Sequence, residues 1–181
     1  MKQRTLLKTL LAAAVFALAG TASAQTKLKW AHVYETSEPY HTESVWAAEE
    51  IKKRTNGKFE IQVFPASSLG KETDINQGMQ LGTVDMIISG PSFAARSYPR
   101  LGIAYYPFIF RDGDHLLAYS KSPVFKEMID GFREKTGIQI LAYTYYGARQ
   151  TTSQKAFTDC AGMKGIKIRV PDVPSYRATP E

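Results

Sequence analysis

Phe59-Glu60-Ile61-Gln62-Val63-Phe64 sets Phe59, Ile61 and Val63 against Glu60 and Gln62. A period of two over six residues marks a strand with one face buried and one face wet. Upstream, Lys27 to Val33 alternates in the same way through Leu28, Trp30 and His32. Between them, Tyr34 to Tyr40 reads as a polar loop and His41 to Thr55 as a helix. Val45, Ala48 and Ile51 keep helical spacing, Lys52-Lys53-Arg54 suit the negative end, and Asn56-Gly57 stops it. Downstream, Lys71 to Leu81 reads as a helix and Asp85 to Ser89 as a buried strand ended by Gly90-Pro91. The order β, α, β, α, β predicts an α/β domain with a mainly parallel sheet.

Further along, Ser122 is an N-cap residue, Pro123 takes the first helical position and Gly137 follows the last turn. Val124, Phe125, Met128, Ile129 and Phe132 form one apolar stripe between them. Ile138 to Tyr146 then reads as a strand, with a crossover to a second unit near Gly147 and another strand at Lys167 to Val170. There are no internal repeats and no low-complexity linker.

The start of the chain has the form of an export leader. Lys2, Arg4 and Lys8 precede the apolar run Leu10–Leu18, and Ala22-Ser23-Ala24 gives a small-x-small cleavage pattern. The run is too short and Ala-rich to span a bilayer. Cleavage after Ala24 and a chain free in the periplasm, with no stable membrane insertion, are expected. No cysteine closely follows the run, which argues against a lipid anchor. The formal net charge of +6 falls to +3 without the leader, because those three basic residues are its only charges. The run Lys52-Lys53-Arg54 follows Glu49-Glu50, so it reads as a solvated helix face and not as a nucleic-acid contact. Cys160 is the single cysteine, so no internal disulfide is possible. It reads as a structural thiol near a turn, with no metal-ligand spacing and no cofactor motif around it.

Two arginines carry the chemistry. They lie in Gly147-Ala148-Arg149-Gln150-Thr151-Thr152-Ser153 and Gly165-Ile166-Lys167-Ile168-Arg169-Val170-Pro171. A guanidinium matches a carboxylate with two parallel hydrogen bonds and stays charged at physiological pH. Ligands of open α/β sheets sit beyond the carboxyl ends of the strands. That rule adds His32, Glu35 and Tyr40 after the first strand, Glu72 at a helix start, and Ser89-Gly90-Pro91 after the third. A surface ion pair explains either arginine taken singly. A helix first turn already accounts for a carboxylate at Glu72. The cluster Tyr143, Tyr145, Tyr146 suits core packing with one ring left to stack on a sugar, Tyr105-Tyr106-Pro107-Phe108 reads as packing, and His41 and His115 as exposed.

With Phe64-Pro65-Ala66-Ser67-Ser68-Leu69-Gly70, these two segments resemble the extracytoplasmic solute-binding proteins of TRAP (tripartite ATP-independent periplasmic) transporters. The resemblance runs from Leu28 to Glu181. It implies a two-lobed periplasmic-binding-protein fold with ligand held between the lobes. The first lobe would span 25–147, and 148–181 would begin the second. Family members are longer, so the resemblance makes this chain an N-terminal portion of one. By resemblance, Arg169 matches the arginine that clamps a carboxylate and Arg149 its supporting arginine. His32 falls where sialate binders carry a ligand-contacting asparagine. Gly90 and Phe93 fall where those proteins present an acidic and a basic contact, which argues against sialic acid here.

Taken together, the residues point to a receptor and not to an enzyme. No nucleophile elbow, His-Glu-x-x-His or Gly-rich phosphate loop occurs, and arginines hold a substrate without transforming it. The expected protein is a monomeric periplasmic receptor that passes an organic acid to the membrane subunits of a TRAP permease. A hydroxylated monocarboxylate such as a hexuronate or aldonate is favoured, with C4-dicarboxylates second. Arg169 would meet the carboxylate, with Arg149 in support and His32, Glu72 and Ser89 reading hydroxyls. The rivals are a periplasmic sensing module that docks to a signalling receptor and, further off, a secreted hydrolase.

Overall fold

The first strand, β1 (Thr26–Ala31), lies between two others and pairs with both. The computed structural model describes residues 25–178, so the leader, its cleavage after Ala24 and the chain end at 179–181 lie outside the described residues. After β1 come α1 (Pro39–Arg54), β2 (Phe59–Phe64), α2 (Glu72–Leu81) and the short β3 (Met86–Ile87). All pairing is parallel, in the order β2-β1-β3. Trp30 stands opposite Val63 on one side and Met86 on the other. Parallel neighbours need crossovers long enough to return to the same end, and α1 and α2 supply them. This is the β-α-β-α-β order read from the sequence.

The sheet's end is sealed by a cluster of Ala31, Ile75 and Val84, with Val33, Phe64 and Ile87 packed around it. Ile75 comes from α2, and burying such a side chain fully contributes about 1.5–3 kcal/mol. The helix closes on Val84 because residue 78 is glycine. A Cβ there would meet the Thr83 hydroxyl at 3.0 Å and a Val84 methyl at 3.1 Å.

The remaining described helices are α3 (Pro91–Ala94), α4 (Gly113–Ser120), α5 (Pro123–Thr136) and α6 (Pro174–Arg177), with 3-10 segments at Pro99–Tyr105 and Ala161–Met163. The capping of α5 matches the sequence reading. Ser122 Oγ accepts from the Phe125 N–H at 3.2 Å, and Gly137 ends the helix at φ 74°. Within its stripe Phe125 and Phe132 are buried, while Val124 is exposed.

Two expected strands are absent from the described residues. Ile138–Tyr146 and Lys167–Val170 carry no ladder. Neither segment lies in the three-stranded sheet. The alternation in the first serves ring packing instead. Tyr143 sits 5.0 Å from the Phe125 ring, Tyr145 closes over Gly113, and Tyr146 joins the rings of Tyr34 and Tyr40. After the second, the chain docks back onto α3 and the Pro99–Tyr105 turn. Phe93, Val173 and Tyr176 form a second buried cluster, and Ser175 Oγ donates to Ser92 Oγ at 2.8 Å inside it.

Candidate functional site

Beyond the carboxyl ends of β1 and β3, a shelf forms from the start of α2, the Ser89-Gly90 link and the docked end of the chain. Glu72 stands in the first turn of α2, and its Oε1 accepts the Gly90 N–H at 2.7 Å. One turn on, Asn76 Nδ2 donates to Ser89 Oγ at 2.7 Å and to the Glu72 carbonyl at 2.7 Å. The Ser89 hydroxyl in turn donates toward the Gly90 carbonyl at 3.5 Å. Burial pushes the Glu72 carboxyl above its ordinary 4.5, against the pull of the Gly90 N–H, the Ser89 hydroxyl and the more distant Arg149. Glu72 and Ser89 are thus brought together.

His32 sits just past β1 and is 1% exposed. Its Nε2 meets His41 Nδ1 at 3.3 Å, while its Nδ1 is buried without a hydrogen-bond partner of ordinary geometry. Burial holds its pKa below 6.5, helped by His41, with a Tyr34 backbone group and Glu38 pulling weakly the other way. Two sequence expectations are corrected here. His41, in the first turn of α1, is half-buried against His32. His115 is half-buried too, at the edge of the Phe110 ring.

The two arginines are placed differently. The Arg149 guanidinium lies 4.3 Å from the centre of the Tyr176 ring, and its Nη2 donates to the Tyr105 hydroxyl at 2.9 Å. Arg169 is exposed and has no hydrogen bond or ion pair to a described residue. It directly precedes Val170, which packs on the Phe93–Val173–Tyr176 cluster. The structure joins Arg149 to the shelf and leaves Arg169 at the edge of the same docked segment. Phe93 is buried under Tyr176 and serves packing.

Several site residues escape a sequence reading. Tyr105 was expected to pack, yet its hydroxyl holds Arg149, and Phe108 beside it is 98% exposed. Tyr176 shows no signal beyond being an aromatic residue in a short helix. Asn76 was findable, four residues after Glu72 on one helix face. Tyr34, Tyr40 and Tyr146 make a second ring cluster with centroids 4.7–5.2 Å apart, tied by Tyr40 Oη to Thr144 Oγ1 at 2.6 Å and by Tyr146 to the Glu38 carboxylate. That bond pushes the Tyr146 phenol up to about 12. Glu35 is exposed, and Cys160 is exposed at a turn. Among the described residues no three His, Cys, Asp or Glu side chains gather as a metal site, and no helix is long and apolar enough to cross a membrane.

The family model for bacterial extracellular solute-binding protein, family 7 (DctP), matches residues 30–180. The chain belongs to this family. A family 7 relative, a solute-binding protein of Roseobacter denitrificans, is 34% identical over 164 residues, covering 90% of this chain and 50% of the relative. Its crystal structure, a TRAP periplasmic solute-binding protein with bound L-galactonate, superposes with a TM-score of 0.76 over 82% of this chain and 49% of that one. A TRAP periplasmic solute-binding protein of Desulfovibrio salexigens, in complex with diglycerolphosphate, gives a TM-score of 0.79 at 32% identity, over 86% of this chain and 50% of that chain. The 2,3-diketo-L-gulonate-binding periplasmic protein of Escherichia coli is 28% identical over 175 residues, 96% of this chain and 53% of the relative. The chain therefore spans about half the length of the relatives it matches, and has their α/β periplasmic-binding-protein fold.

Proposed function

We propose that this family 7 chain belongs to a periplasmic receptor that captures a sugar acid and delivers it to a TRAP permease. The observation that carries this reading is Arg149, a permanent cation seated against Tyr176 and Tyr105 on the shelf that holds Glu72 and Ser89. One guanidinium edge is used by Tyr105, which leaves donors for a carboxylate. A buried carboxyl and a hydroxyl beside it suit the hydroxyls of a sugar chain. Arg169, by its match to the family's clamping arginine, is the second anion contact, and His32 reads a further hydroxyl. The aldonate bound by the Roseobacter relative and the diketogulonate named for the Escherichia protein support the ligand class. The chemistry of this reading is binding and release. The neighbourhood of the gene separates this role from that of a sensing module, since a permease or a kinase would be encoded beside it.

A thermal-shift panel on the full-length protein tests the ligand class. Hexuronates and aldonates should stabilise it most. Greatest stabilisation by succinate or malate would assign it to dicarboxylates. A glycerol phosphate is the second reading, favoured by the ligand of the Desulfovibrio structure, and it would win by ranking first. Charged hydrogen bonds contribute about 1.5–3 kcal/mol, so Arg169→Ala should weaken binding by about tenfold or more in calorimetry. Unchanged affinity would remove Arg169 from the site.

A further inference from the structure

We infer that Tyr176 and Tyr105 are positioning residues that aim Arg149 at the anionic group of the ligand, so that docking of the segment Val170–Arg177 sets the geometry of the anion site. This deepens the receptor reading and rests on it. Arg149 lies in a stretch without helix or ladder, from Ile138 to Asp159, so its own backbone gives it little definition. What locates its guanidinium is side chain on side chain. The Tyr176 ring covers one face at 4.3 Å and the Tyr105 hydroxyl takes one Nη2 hydrogen at 2.9 Å. The two tyrosines brace each other with ring centres 4.9 Å apart.

Tyr176 is itself held from several sides. Its ring is buried with Phe93 and Val173, Ser175 is bonded to Ser92, and Arg96 Nη2 donates to the Asp172 carbonyl at 2.8 Å. The Tyr176 hydroxyl lies close to Gly90, and the same Gly90 gives its N–H to Glu72. The anion-binding and hydroxyl-reading parts of the shelf thus share one support. A planar cation stacked on a ring and bonded along one edge keeps its other edge free, which is the presentation a carboxylate needs. Arg169 stands one residue before the docked segment, so the same docking fixes where its backbone emerges.

The experiment uses full-length protein and the best sugar acid of the panel. Tyr176→Leu keeps an apolar side chain in the cluster but removes the stacking face. Affinity should fall about threefold to tenfold, in line with a cation–ring contact of this kind. The same change made on Arg149→Ala should cost nothing further, because the ring acts through the guanidinium. Tyr176→Phe should bind like the parent, and Tyr105→Phe should lose about threefold. An equal loss from Tyr176→Leu in both backgrounds would overturn the inference and leave Tyr176 as framework. A second measurement needs no ligand. In arginine-labelled protein the Arg149 side-chain NMR signals should be shifted upfield by the ring and should return toward free-arginine values in Tyr176→Leu. Unshifted signals in the parent would overturn the stacking even if every acid binds. If no acid binds while the shift is present, the receptor reading fails and the positioning of Arg149 stands.

Discussion

Phe59–Phe64 and Ile138–Tyr146 are written in the same alternating code, yet only the first is a strand. Phe59–Phe64 lies along β1 in parallel register from Thr26 to Ala31. Ile138–Tyr146 has no strand beside it and distributes its tyrosines among three different helices and turns. Period two states which side chains share a face. It does not state that the backbone will reach a sheet edge, and here the rings find other partners instead.

The comparison breaks most easily in the core. Ile75→Ala removes a side chain that is 1% exposed under the sheet and should cost about 2–5 kcal/mol. Leu141→Ala, in the ladder-free segment at 79% exposure, should stay within about 0.5 kcal/mol. Urea unfolding measures both, and similar losses would mean that Ile138–Tyr146 is structured like the sheet. A smaller effect is expected at the helix just before that segment. Ser122→Ala removes the cap of α5 and should cost about 1 kcal/mol, while Ser122→Asp should retain most of it.

The finest difference is in pH dependence, where Glu72 on the shelf and His32 past β1 oppose each other. Glu72 keeps its proton in the folded state above 4.5, where the unfolded chain has lost it, so its contribution to stability falls as pH rises through that window. His32 is held neutral below 6.5, where the unfolded chain takes up a proton, so its contribution is present above 6.5 and is lost as pH falls. Glu72→Gln should therefore make unfolding midpoints drop more steeply from pH 7 to pH 5 than in the parent. His32→Asn should do the reverse. Identical slopes in all three proteins would show that neither group is desolvated in the fold.

What could be read in advance follows local rules. The βαβαβ order, the cap at Ser122 and the stop at Gly137 depend on residues next to each other in the chain. So did placing His32, Glu72 and Ser89 at strand or helix ends, because their positions follow from element boundaries. Tyr105 and Tyr176 depend on a docking across some seventy residues of chain, from Tyr105 to Tyr176, that no periodicity encodes. His41 was misplaced for a related reason. Its burial comes from contact with His32, nine residues earlier across the polar loop, which the helical pattern of α1 does not encode.

The strand order β2-β1-β3 has a further consequence for assembly. β2 and β3 never touch, so every ladder bond of this sheet includes β1. The strand made first is thus the last to be satisfied. It must wait for Val63 to pair on one flank of Trp30 and for Met86 on the other, each time across a whole helix. No hairpin can seed such a sheet, and its formation is tied to closing long loops and not to any local turn.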